Sequence, residues 1–152
     1  CFRFPRVLNP LYRRTWLGSL PAGRRELRRF LLRDYDRTAP RAVDWLMGAC
    51  LLLRRRTLDA VGLFDERFFM YSEDLDLCRR TWPAGWQVWY VPTAEVVHYH
   101  QRQSADHRGI SALWYPPVWQ HLRSAISYYR KYWGSPVPQL SPSGQERSRG
   151  VK

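Results

Sequence analysis

The spacing of apolar residues predicts four helices in this chain. Apolar positions recur three and four residues apart, which is the period of one face of an α-helix, and polar residues fill the positions between them. Proline or glycine follows three of the four segments and marks where those helices end. The predicted helices cover residues 24–33, 56–61, 73–82 and 118–133.

Three other segments have the composition of β-strands. Residues 43–53 are nearly all apolar and are bounded by charge, which favours a buried strand, although their Leu and Met residues also permit a helix. Residues 86–91 alternate and are rich in strand-forming residues, and residues 94–100 form a second short segment of this kind. The pattern therefore predicts strands on both sides of the helix at residues 73–82.

The net charge of the chain is strongly positive. Lys and Arg together number 25 against 13 for Asp and Glu, which gives +12 over 152 residues. Such a field attracts nucleotide phosphates, nucleic acid or an anionic membrane and does not by itself choose among them. No RNP-like segment, zinc finger or recognition-helix pattern is present in the sequence, so we expect no nucleic-acid partner.

The predicted helix at residues 118–133 has aromatic residues beside Arg123, Arg130 and Lys131. This combination fits a helix that lies on a membrane surface. Packing against another part of an enzyme explains the same pattern equally well. The longest apolar run, residues 45–53, is too short to cross a bilayer, and no Cys-x-x-Cys pair occurs. We therefore expect a cytoplasmic location, peripheral at the inner face of the plasma membrane.

Three acidic residues lie close together at the start of a predicted helix. Glu73, Asp74 and Asp76 follow an aromatic cluster and precede Arg79 and Arg80. In one interpretation they stabilise the helix start, with Ser72 or Glu73 as the cap. In the other, one carboxylate faces a cleft and acts as a general base. The triplet alone favours capping, because acids are common at helix starts.

Two histidines suggest a metal site. His98 and His100 are two residues apart, so on a strand both side chains point to the same face. Neutral imidazole is a frequent ligand of divalent ions. A structural role for one histidine and solvent exposure of the other explains the pair equally well.

The order of three segments, residues 43–55, 61–66 and 73–80, favours the functional interpretation of these acids and histidines over the structural one. Together they resemble the family 2 inverting glycosyltransferases of the GT-A fold, and most closely the bacterial rhamnosyltransferases that build cell-surface polysaccharide. The resemblance implies an α/β fold in which this chain is the C-terminal half of a GT-A (Rossmann-like) domain, with the N-terminal nucleotide-binding half and its Asp-x-Asp motif missing before residue 1. Residues 1–134 would then be a partial catalytic domain on the acceptor side, with an amphipathic helix within residues 110–134 and a disordered tail at residues 135–152.

The resemblance also implies roles for individual residues. Asp74 would be the general base, and Glu73 and Asp76 would position the base or the acceptor. Arg79 would hold the carboxylates by an ion pair. Residues of the acceptor site would be Asp44, Trp45, Gly48 and Asp76.

On the donor side, the resemblance implies that His98 is a ligand of a divalent metal, Mg or Mn, which the missing half would largely bind. His100 and Arg102 would lie near the donor phosphate. Residues 101–104 lack the glycines that often follow in the family. The expected partners are a nucleotide-sugar donor and a glycan or lipid-linked acceptor, and the isolated fragment is expected to be inactive. The alternative is a non-catalytic basic and aromatic module that binds a membrane or nucleic acid.

Overall fold

A computed structural model describes residues 1–98 and 116–138 of the chain. In chain order the elements are α1 (Asn9–Arg14), a 3₁₀ turn (Trp16–Ser19), α2 (Pro21–Phe30), β1 (Arg41–Ala42), α3 (Arg55–Val61), α4 (Glu73–Thr81), β2 (Trp89–Tyr90) and α5 (Pro116–Lys131). Helices and strands both occur, as the α/β prediction requires, but strands are few in the described part. None of the described helices combines the length and the apolar character that crossing a bilayer requires.

All four predicted helices are present, with ends shifted by a few residues. Helix α3 ends at Gly62, whose φ of 79° suits the left-handed side of the backbone map, and Gly134, with a φ of 71°, lies three residues beyond the end of α5. The helix predicted at residues 24–33 begins three residues earlier, at Pro21, because proline lacks an N–H and fits the first helical position.

The only regular sheet in the described part is a pair of short antiparallel strands. Arg41 pairs with Tyr90 and Ala42 with Trp89, and the Val43 N–H extends this pairing to the Val88 carbonyl at 2.9 Å. The strand predicted at residues 86–91 is thus confirmed only in its centre.

Two strand predictions are wrong. The segment at residues 43–53 leaves the sheet after Val43, Trp45 makes only an isolated bridge with Phe2, and residues 48–50 form an exposed turn. Leu52 is fully exposed, so apolar composition did not mean burial here. No strand forms at residues 94–98, and the rest of the second predicted strand, with His100, lies outside the described residues.

The hydrophobic core joins the two ends of the described chain. Phe4 from the N-terminal segment packs with Phe68, Leu75 of α4 and Tyr128 of α5, all buried. Around them lie Trp45, Trp82, Tyr129 and Tyr132. Because this cluster contains residues on both sides of the acidic triplet, it fixes the position of the α4 N-terminus.

Candidate functional site

The entry into α4 has an unusual backbone conformation. Tyr71 and Ser72 both have positive φ, 67° and 69°, a region that costs non-glycine residues about 1 kcal/mol or more each. Helix α5 holds this segment in place: the Ser124 hydroxyl donates to the Met70 carbonyl at 2.7 Å, and the Tyr71 ring stacks on His121. Strain that surrounding contacts maintain is typical of functional sites.

Asp74 faces the exposed turn that follows Trp45. Its Oδ2 accepts the Gly48 N–H at 2.7 Å, and its Oδ1 accepts the Leu75 N–H at 2.7 Å. The side chain is buried, and this desolvation raises the pKa of the carboxyl although the two N–H groups act in the opposite direction. Each oxygen keeps room for a further hydrogen bond, because a carboxylate oxygen accepts two.

Gly48 keeps the space beside this carboxylate open. A Cβ at this position would lie 3.4 Å from Asp74 Oδ2, in van der Waals contact with it. Gly48 itself is exposed, so the buried carboxylate of Asp74 lies directly beneath an exposed turn. The structure therefore brings together two of the predicted site residues that are 26 positions apart.

Glu73 lies beside Asp74 and is half-buried. Its Oε2 is buried and has no hydrogen-bond partner among the described residues. Burial, and then the charge of Asp74, raise the pKa of this carboxyl. Glu73 therefore presents an acceptor atom that the described protein does not use, as expected of a group that binds a ligand.

Asp76 points in a different direction and is completely buried. Its Oδ1 accepts from Lys131 Nζ at 2.6 Å and from the Tyr132 hydroxyl at 2.7 Å, and its Oδ2 accepts from Arg80 Nε at 2.8 Å. Residues two apart on a helix project about 200° from each other, so Asp74 and Asp76 serve different neighbours. The geometry indicates that Asp76 joins α4 to α5, and its predicted contact with the acceptor stays a prediction.

The prediction that Arg79 holds the carboxylates is wrong. Arg79 is buried, donates to the Tyr128 hydroxyl at 2.9 Å and lies 4.0 Å from the centre of the Tyr132 ring. Arg80 makes the ion pair with Asp76 instead. The helical spacing explains the difference, because residue 80 is four positions from residue 76 and lies on the same face.

The capping interpretation of the acidic triplet is confirmed in part. Ser72 occupies the N-cap position, but its side chain makes no capping hydrogen bond. The Asp74 carboxylate instead accepts a first-turn N–H, that of Leu75. This bond uses one oxygen only, so capping and a further role of Asp74 are compatible.

Asp44 and Trp45 are held mainly by the N-terminal segment. Asp44 is buried and accepts the Phe4 N–H at 2.7 Å and Arg3 at 3.2 Å, and burial raises the pKa of its carboxyl. Trp45 stacks on Phe2 and donates its indole N–H to the Arg3 carbonyl at 2.9 Å. Both residues contribute to packing, and their contact with an acceptor stays a prediction.

The metal prediction depends on residues at the edge of the described chain. His98 is exposed, while His100 and Arg102 lie outside the described residues. No group of three His, Cys, Asp or Glu residues that could hold a metal occurs within residues 1–98 and 116–138. These residues do not by themselves fit a divalent cation, so no chemical step below includes one.

Sequence reasoning did not find three partners of these acids. Lys131 and Tyr132 reach Asp76 from 55 and 56 positions away, and the Gly48 N–H reaches Asp74 from a turn that was predicted as a strand. The only available signal was the pattern of the C-terminal helix. It predicted a buried face without saying what that face contacts.

Comparison with known proteins finds a matching family and several relatives. The family model described as glycosyltransferase like family 2 matches residues 6–114. The chain is 58% identical over 59 residues to an N-acetylglucosaminyl-diphospho-decaprenol L-rhamnosyltransferase of Mycobacterium tuberculosis, a stretch that covers 39% of this chain and 19% of that protein.

Two further relatives match longer stretches. Rhamnosyltransferase WbbL of Escherichia coli is 35% identical over 86 residues, which are 57% of this chain and 30% of the relative. A pre-mycofactocin glycosyltransferase of M. tuberculosis is 36% identical over 94 residues, which are 59% of this chain and 20% of the relative. The chain thus spans less than a third of each of these relatives. No solved structure matches significantly.

Proposed function

Because the chain belongs to the glycosyltransferase-like family 2, we propose that the whole protein transfers a sugar from a nucleotide-sugar donor to a glycan acceptor. Two relatives are named as rhamnosyltransferases, which supports L-rhamnose as the sugar. One of those names specifies an acceptor sugar on diphospho-decaprenol, which supports a lipid-linked acceptor. Since the chain covers only part of its relatives, the donor site of the GT-A domain would lie largely in other segments of the whole protein.

The proposed catalytic base is Asp74. It would take the proton from the acceptor hydroxyl while that oxygen attacks the anomeric carbon of the donor. The bond from the anomeric carbon to the leaving nucleoside diphosphate breaks in the same step, so the configuration at that carbon inverts. The observation that carries this assignment is a buried carboxylate with a raised pKa, fixed by the Gly48 and Leu75 N–H groups beneath an exposed turn.

Glu73 is the proposed partner of the base. Its unpaired Oε2 would accept a hydrogen bond from a second hydroxyl of the acceptor, which orients the sugar. Asp76 would act indirectly, because it fixes α4 against α5. His98 would be one ligand of the proposed divalent cation, Mg²⁺ or Mn²⁺, and the other ligands would come from outside the described residues; an ion of this kind supplies positive charge beside a leaving diphosphate.

The exposed side of α5 is proposed to contact an anionic membrane. Trp119, Leu122 and Ile126 expose 52, 40 and 50% of their surface at helical spacing, and Trp133 exposes 78% just beyond the helix. Residues 116–133 contain no acid, and the exposed Arg123 and Arg130 complement anionic lipid headgroups, whereas Lys131 is paired with Asp65 and Asp76. The proposed location is therefore the cytoplasmic face of the plasma membrane, next to a lipid-linked acceptor.

The test of this function is a transfer reaction with the whole protein. It should convert nucleotide-activated L-rhamnose and a lipid-linked N-acetylglucosaminyl diphosphate into a disaccharide whose new linkage is inverted relative to the donor, as read by NMR. The rate should rise with pH through a pKa above 3.8, because burial raises the pKa of Asp74 above that ordinary value. Retained configuration, or no transfer from any nucleotide-hexose donor, would contradict the proposal.

A further inference from the structure

A cavity of about 250 Å³ lies between the C-terminal end of α2 and β1, apart from Asp74 and Glu73. Four arginines line it: Arg3, Arg28, Arg29 and Arg41. Tyr35, Asp34 and Asp44 lie among them. The residues come from four separate parts of the chain, so the cavity arises from the fold and not from one basic run.

The four arginines divide into two pairs by their partners. Arg3 is 3.2 Å from Asp44, and Arg29 is 2.6 Å from Glu26, so nearby carboxylates neutralise both. Arg28 and Arg41 make no ion pair with an acid in the described part of the chain, and both are exposed. The cavity therefore has two guanidinium groups that form no ion pair among the described residues, beside one exposed carboxylate of the lining, that of Asp34.

Tyr35 supplies a third donor. Its hydroxyl oxygen is buried and has no hydrogen-bond partner among the described residues. The Arg41 guanidinium lies 5.2 Å from the centre of the Tyr35 ring, a cation–π contact that limits the orientations of the arginine. Two planar guanidinium forks and one hydroxyl together form a donor set for a multiply charged oxyanion.

We propose that this cavity binds the diphosphate group of the lipid-linked acceptor. The proposal rests on the function proposed above, in which the acceptor sugar is carried on a lipid diphosphate. The volume of about 250 Å³ lies below the about 300 Å³ at which pockets for whole drug-sized ligands start, so the cavity encloses a headgroup and leaves the rest of a larger ligand outside. With the diphosphate held here, the lipid and the sugar would extend from the cavity in opposite directions.

A binding titration of the 152-residue chain tests this site without any sugar transfer. Calorimetry would use three probes, inorganic diphosphate, farnesyl diphosphate and thymidine diphosphate. We expect both inorganic and farnesyl diphosphate to bind, with farnesyl diphosphate tighter than thymidine diphosphate. No binding of diphosphate overturns the proposal, and tighter binding of thymidine diphosphate assigns the cavity to the donor and overturns it too.

Single substitutions in the lining test whether the diphosphate binds in this cavity. Arg28→Ala and Arg41→Ala should each weaken farnesyl diphosphate binding about tenfold, the loss of one charge-assisted hydrogen bond. Asp34→Asn should tighten it, because a negative charge leaves the lining, and a gain cannot result from unfolding. The matched control is Arg25→Ala on the exposed side of α2, outside the lining. Equal losses for Arg25→Ala and Arg41→Ala would indicate general charge attraction and contradict a built site.

The two proposals fail in different ways. Sugar transfer by the whole protein together with no diphosphate binding to the chain would contradict the cavity assignment alone. Diphosphate binding that Arg28→Ala and Arg41→Ala weaken, together with no transfer, would leave the cavity assignment standing and contradict the enzymatic function. Circular dichroism of each variant, matched to that of the unchanged chain, excludes unfolding as the cause of a loss.

Discussion

Replacing Asp76 by Asn should destabilise the protein more than any exposed charge change. The side chain is fully buried and accepts hydrogen bonds from Arg80, Lys131 and Tyr132. Removing one partner of a buried ion pair costs about 3–5 kcal/mol, because the remaining charges are left without compensation. The side chains of Arg80 and Lys131 expose 21 and 18%, and Lys131 keeps Asp65 at 2.7 Å. We therefore expect the lower end, about 3 kcal/mol.

Urea unfolding followed by tryptophan fluorescence measures this loss. With a slope of about 2 kcal/mol per molar urea, a loss of about 3 kcal/mol lowers the midpoint by about 1.5 M. The control is Asp59→Asn, whose ion pair with Arg55 is exposed on both sides and contributes under about 1 kcal/mol. Tyr132→Phe removes one hydrogen bond to Asp76 and should cost about 1 kcal/mol. The reasoning is refuted if Asp76→Asn costs no more than Asp59→Asn.

Two further predictions concern the membrane and pH. The chain should bind vesicles of phosphatidylglycerol and not vesicles of phosphatidylcholine. Ile126→Glu on the exposed side of α5 should reduce the bound fraction several-fold, whereas the control Ser19→Glu should not. Equal losses in the two variants would refute the assignment of the membrane contact to α5. Hydrogen bonds from Arg67 and Lys131 lower the pKa of Asp65 below its ordinary value of 3.8. The difference in stability between the unchanged protein and Asp65→Asn should therefore be largest above pH 3.8 and shrink as the pH falls below that value. A difference in urea midpoint that does not change with pH would contradict the assignment.

Local patterns predicted the helices and failed for the strands. Helical period is a property of neighbouring residues, so α3, α4 and α5 appear near their predicted positions. An apolar run does not specify which element covers it. The segment after Trp45 is therefore an exposed turn, although its composition suggested a buried strand.

The candidate site could be predicted only in part for the same reason. The positions of Glu73 and Asp74 at a helix start were readable from the sequence, and the structure confirms that start. The direction in which each carboxylate points depends on partners far along the chain, such as Gly48 for Asp74 and Lys131 for Asp76. Spacing within α4 shows that the two acids diverge but cannot identify those partners.

The arginine cavity lay beyond sequence reasoning altogether. Its arginines are spread between residues 3 and 41, so no local pattern in the sequence marks them as one site. Only the fold shows that Asp44 and Glu26 neutralise two of them and leave Arg28 and Arg41 without a described carboxylate partner.

The most direct test of the central claim is the transfer rate of Asp74→Asn in the whole protein. A general base contributes about 10²- to 10⁴-fold, so kcat should fall at least about a hundredfold. Donor affinity should stay near that of the unchanged protein, and Asp59→Asn should keep its rate. Asn has one acceptor oxygen for the Gly48 and Leu75 N–H groups, so the urea midpoint of Asp74→Asn should fall by about 1 M. If Asp74→Asn retains the rate of Asp59→Asn, Asp74 is not the base and the proposed mechanism is wrong.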